Sequence, residues 1–107
     1  MTQDPDLLFH ALADATRRGL FERLSRDGEQ TVAALTAGGQ VSQPAVSKHL
    51  AVLKAAGLVE GRHAGRSTHY RARPAAVGPL VDWLNTYAAF WNERFDALED
   101  LLKRMDQ

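Results

Sequence analysis

Two short helical patterns that meet at a tight turn, between Thr31 and Gly57, constrain the fold most. Thr31 is an N-cap for a short helix over Val32 to Ala37, and Gly38-Gly39 stops it. Ser42 caps the next helix, Pro44 lies in its first turn, and Gly57 is the glycine just past its end. Val46, Leu50 and Leu53 recur at steps of four and three, so they share an inner face. Pro44, Ser47, Lys48 and Ala51 then point outward or sideways, with Gln43 at the leading edge. This pattern predicts a helix-turn-helix over 31–57, a unit whose second helix offers its first turns to the major groove.

The chemistry of that helix suits the task. No acidic side chain occurs from Val41 to Gly57. The amide of Gln43 pairs well with adenine, Ser47 suits a base edge or phosphate, and Lys48 reaches guanine or phosphate. The helix N-terminus adds its own attraction for phosphate. Taken alone, the segment reads equally well as a helical hairpin with a polar outer face.

Flanking patterns complete a mainly α chain. Asp4 and Pro5 mark a first helix with Leu8 and Leu12 on one face and Leu7 and Ala11 beside it. Asp14 caps a second helix whose stripe is Leu20, Phe21 and Leu24, and Arg26-Asp27-Gly28-Glu29 breaks it. Leu58–Arg62 and Ser67–Arg71 are two extended segments around Ala64-Gly65, and Pro74 ends the hairpin they form. The region 58–73 is thus a small β-hairpin wing. Its tip collects Arg62, His63, Arg66, Ser67 and Thr68, and a basic wing tip follows the DNA backbone or enters the minor groove.

From 76 to 105 the spacing is that of one long helix, in steps of three and four through Val77, Leu80, Leu84, Tyr87, Trp91, Arg94, Leu98, Leu102 and Met105. Thirty residues at 1.5 Å each span roughly 45 Å. That exceeds the body of a domain this small, so its apolar stripe needs a cover. Leu80, Leu84, Tyr87, Trp91, Phe95, Leu98 and Leu102 are the expected dimer interface. The 107 residues make one domain, and at that size a partner subunit adds needed buried surface.

The net charge is zero, but its distribution is uneven. Residues 1–30 balance to −2, residues 31–74 to +5, and residues 75–107 to −3. A polyanion is therefore drawn to the middle zone and repelled from the flanks.

At this point the residues resemble a family. Phe9-His10-Ala11-Leu12-Ala13-Asp14-Ala15-Thr16-Arg17-Arg18 is similar to the first-helix signature of the ArsR/SmtB transcriptional regulators. So are Val41-Ser42-Gln43-Pro44-Ala45-Val46-Ser47-Lys48-His49-Leu50, Leu53-Lys54-Ala55-Ala56-Gly57-Leu58-Val59, and the wing Gly65-Arg66-Ser67-Thr68-His69-Tyr70. Ala15 departs from the proline usual there, which softens the turn. The resemblance implies a winged helix-turn-helix in the order α-α-α-α-β-β-α. It also implies a homodimer that represses a promoter, binds double-stranded operator DNA of palindromic form, and is released by a signal. With the resemblance, the candidate DNA-facing set is Ser42, Gln43, Ser47, Lys48 and His49 on the helix and Arg62, His63, Arg66, Ser67 and Thr68 on the wing.

Many members of that family sense metals through cysteines on the third helix or through His and carboxylates on the last. This chain has no cysteine, and its last helix carries Asp82, Glu93, Asp96, Glu99 and Asp100 without a histidine. Carboxylates alone make a poor site for zinc or softer metals, so no metal and no cofactor is expected. Trp83, Tyr87, Phe90, Trp91 and Phe95 serve either as dimer core or as the lining of a pocket for an organic inducer. No nucleophile elbow, phosphate-cradling loop or His-Glu pair points to an enzyme. The competing reading is a winged helix that binds another protein and not DNA. The acidic, polar start is unlike a signal peptide, and no apolar run approaches the ~18 residues of a membrane span, so a cytoplasmic setting is expected.

Overall fold

The structure, a computed structural model, describes residues 5–39 and 41–106. Asp4, expected to cap the first helix, and Gln40 of the turn lie outside the described residues. Helix α1 is Pro5–Ala13 and helix α2 is Ala15–Asp27. The break between them has a local cause: the Asp14 carboxylate accepts the Arg17 backbone N–H at 3.0 Å, as an N-cap does. Thr31 caps α3, Val32–Thr36, by accepting from the Ala34 N–H at 3.1 Å. Ser42 caps α4, Gln43–Ala55, through the Ala45 N–H at 3.4 Å.

Helix α4 ends in a Schellman motif. Gly57, at φ 78°, donates to the Lys54 carbonyl, and Leu58 donates to Leu53. Leu53 and Leu58 are both fully buried, which supplies the apolar contact that accompanies this cap.

Strands β2 (Val59–Ala64) and β3 (Ser67–Ala72) form the expected hairpin, each reaching slightly further than the sequence pattern predicts. Gly65, at φ 63°, and Arg66 make its two-residue loop, with positive φ at the first position only, the pattern of a type II′ turn. A short strand β1, Gln30–Thr31, pairs antiparallel with β3, giving the order β1-β3-β2. Two residues are too short for any alternation to signal this strand in the sequence. A 3-10 turn, Pro74–Val77, precedes helix α5, Gly78–Met105, which begins two residues later than its apolar spacing suggested.

Contacts gather the chain into two units, Met1–Val77 and Gly78–Gln107. In the first, α1 through α4 and the start of β2 enclose Leu8, Ala11, Leu20, Leu24, Leu35, Val46, Leu50, Leu53, Ala56, Leu58 and Val59. Leu8 and Ala11 carry the buried face of α1, while Leu7 is half exposed. The second unit is α5 alone, about 42 Å long at 1.5 Å per residue.

Candidate nucleic-acid interface

The inner stripe of α4 orients its outer side. With Val46, Leu50 and Leu53 buried, Gln43, Pro44, Ser47, Lys48 and Ala51 are exposed. Ser42 is exposed as well, its hydroxyl engaged as the cap. The wing tip comes to the same side. Gln43 and Ser47 of α4 line a cleft of about 220 Å³ together with Arg66, Ser67 and Thr68 of the hairpin. Thr31, Val32 and Ala33, at the start of α3, form its third wall. The sequence marks these three only as the start of a helix. Lys48 does not line the cleft, although it is exposed one residue away.

Two wing residues are held by partners. His63 Nδ1 lies 3.1 Å from Thr68 Oγ1 across the hairpin, where the two residues are paired in register. Arg62 forms an ion pair with Glu29 at 2.8 Å. It belongs to a separate depression with His69, Gly61 and a cross-strand Glu60–Arg71 ion pair. Arg66 appears in no ion pair among the described residues.

His49 departs from the sequence expectation. Its ring is half buried and its Nδ1 lies 3.5 Å from Arg17 Nη1 on α2. The physical reason is its place on the helix: position 49 is three past Val46 and four before Leu53, so it flanks the inner stripe. Nearby, the Asp14 carboxyl is held below its usual value, chiefly by the Arg17 backbone N–H and further by the Arg17 charge.

Along α5 no described side chain is buried. Leu80 is partly covered, while Leu84, Tyr87, Trp91, Phe95, Leu98 and Leu102 are exposed, Phe95 by 62%. The rings of Trp83 and Tyr87 lie 4.8 Å apart, and those of Trp91 and Phe95 6.2 Å apart. Arg94, the polar member of the apolar series, places its guanidinium 4.3 Å over the Phe90 ring. Among the described residues no group of three His, Asp or Glu is placed to hold a metal ion, and no helix is long and apolar enough to cross a membrane.

A capped helix pair, a three-stranded wing and an acid-free cleft between them define a winged helix-turn-helix of the DNA-binding class. Comparison with known proteins agrees. A helix-turn-helix domain family matches residues 12–62. The HTH-type transcriptional regulator Rv2034 of Mycobacterium tuberculosis is 39% identical over 100 residues, covering 94% of this chain and 90% of that protein. The arsenical resistance operon repressor of Escherichia coli is 44% identical over 70 residues, 65% of this chain and 60% of its own length. Among solved structures, an ArsR-like transcriptional regulator from Rhodococcus sp. RHA1 is similar with a TM-score of 0.68 and 34% identity, covering 90% of each chain. The chain belongs to the ArsR/SmtB family of transcriptional regulators.

Proposed function

We propose that this chain is a homodimeric, operator-specific repressor that acts by binding and whose switch is not a metal. The observation that carries the reading is the shared cleft: Gln43 and Ser47 face the same space as Arg66, Ser67 and Thr68. In this reading 31–57 is the DNA-reading unit, with Gln43, Ser47 and Lys48 toward bases and phosphates. The wing, 58–73, brings Arg66 to the backbone or minor groove. Residues 76–105 form the dimer, covering the aromatic stripe that α5 leaves exposed. Two-fold pairing then sets the recognition helices about one DNA turn, ~34 Å, apart, which favours a palindromic operator.

The absence of cysteine from the sequence supports a signal other than a soft metal. An organic inducer held by aromatic side chains of α5 is the form of signal those residues suit. Selection of bound duplexes from a random library, followed by sedimentation of the free protein and of the complex, tests the whole reading. The expected outcome is an inverted repeat bound by two chains. Recovery of no sequence preference would leave the protein-binding use of a winged helix as the better account.

A further inference from the structure

Helix α2 carries two adjacent arginines that no DNA-facing surface uses. Arg17 donates from Nε to the Ala11 carbonyl at 2.7 Å and from Nη2 to the His10 carbonyl at 3.0 Å. Arg18 Nη1 donates to the carbonyls of Leu12 and Ala13 at 2.7 and 3.0 Å. The four carbonyls that close α1, which a helix leaves without intrahelical donors, therefore all accept from two guanidinium groups. Arg18 ends there. Arg17 keeps one nitrogen, Nη1, and aims it at His49 Nδ1 on α4, 32 positions along the chain.

We propose that Arg17 is a positioning residue for DNA binding: clamped on the end of α1, it fixes the rotation of the recognition helix through His49. Apolar packing of Val46, Leu50 and Leu53 holds α4 against the core but is non-directional. A guanidinium hydrogen bond has a direction. Each residue step along α4 turns about 100°, so a small rotation changes how Ser47 and Lys48 meet the groove. Arginine only donates, so this hydrogen bond requires the His49 tautomer whose Nδ1 accepts and whose Nε2 carries the proton. At 3.5 Å the contact to His49 is the longest of the three Arg17 side-chain contacts, at the outer edge of hydrogen-bonding distance. Asp14, which caps α2 through the Arg17 N–H, holds the root of that side chain in place. The inference rests on the DNA-binding reading of α4.

The test pairs a ring signal with a binding cycle. In the free protein, nitrogen NMR of the His49 ring should show an unprotonated Nδ1, and Arg17→Met should shift it. Against a duplex selected by the wild type, His49→Leu should lose about tenfold in affinity, as loss of a hydrogen bond to a charged group implies. His49→Asn, whose Oδ1 falls near the Nδ1 place, should restore most of it. Arg17→Met with His49→Leu should bind no more weakly than Arg17→Met alone. The salt dependence should stay that of the wild type throughout, because neither side chain meets a phosphate. Additive losses, an Asn no better than a Leu, a reduced salt slope, or an unmoved ring signal would each overturn the proposal. If Arg17→Met melts too early for binding work, the Leu and Asn comparison at position 49 decides. If the wild type selects no sequence, the DNA reading fails while the ring signal still judges the contact.

Discussion

Arg66 and Arg62 stand in one wing in opposite electrostatic states, and that contrast can be measured. Arg66 occupies the second position of the β2–β3 loop, exposed, on the cleft shared with α4. Arg62 is held by Glu29 at 2.8 Å. A guanidinium that reaches a phosphate releases about 0.9 counterion, read as the slope of log affinity against log salt. With one Arg66 from each wing of the proposed dimer, Arg66→Ala should flatten that slope by about 1.8. Raising salt from about 50 to about 200 mM should then shrink the wild-type advantage over the variant roughly 12-fold. Arg62→Ala should leave the slope nearly where it was, since Arg62 stays with its carboxylate. Fluorescence anisotropy of a labelled, selected duplex across that salt range supplies the slopes, and thermal melting shows that both variants fold. Parallel lines for Arg66→Ala and the wild type, or a flattened line for Arg62→Ala alone, would refute the assignment of the wing tip.

Leu50→Ala empties a fully buried site at the centre of α4 and should cost about 2–5 kcal/mol in urea unfolding; a loss under 1 kcal/mol, about the cost of a well-tolerated swap, contradicts the core described. Trp91→Glu puts a charge into the proposed α5 interface, so sedimentation should show a monomer at about tens of micromolar, where the proposed wild-type dimer should hold; a dimeric variant places the interface elsewhere. Folding depresses the Asp14 carboxyl, so its charge stabilises the fold above about pH 4, and that contribution fades as pH falls through the lower folded value. Asp14→Asn keeps a cap acceptor without the charge, so the melting temperatures of variant and wild type should converge below about pH 4; a constant gap from neutral to acid pH counts against it. Zinc, cadmium or arsenite at micromolar levels should leave operator affinity unaltered, and a tight stoichiometric metal that changes it in calorimetry and gel shift would reverse the proposed switch.

Legibility in the sequence follows the range of the interaction. Each cap read from the residues within the described chain is present: Asp14, Thr31 and Ser42 accept from backbone N–H groups three positions on. The stop at Gly57 is equally local, because only a residue free of Cβ strain takes that φ cheaply. Strand β1 was invisible for the opposite reason. Its partner, Tyr70 against Gln30, lies forty positions away, and two residues carry no period.

The same division runs through the candidate site. Residue type and helical spacing were enough to put Gln43, Ser47 and Lys48 outward and to collect charge at the wing tip. They did not decide which of those groups is free. Thr68 takes His63 through the hairpin register, while Glu29 takes Arg62 and Arg17 reaches His49 only because separate elements are docked by the core. The sequence by itself determined where helices start and stop, which faces are apolar and where basic groups concentrate, because those depend on neighbours within a turn or two. Only the tertiary structure decided that α3, α4 and the wing share one cleft and that α2 holds both α1 and α4. Those contacts arise from burial of Leu8, Leu24, Leu50 and Leu53 together, a non-directional force that no local pattern records.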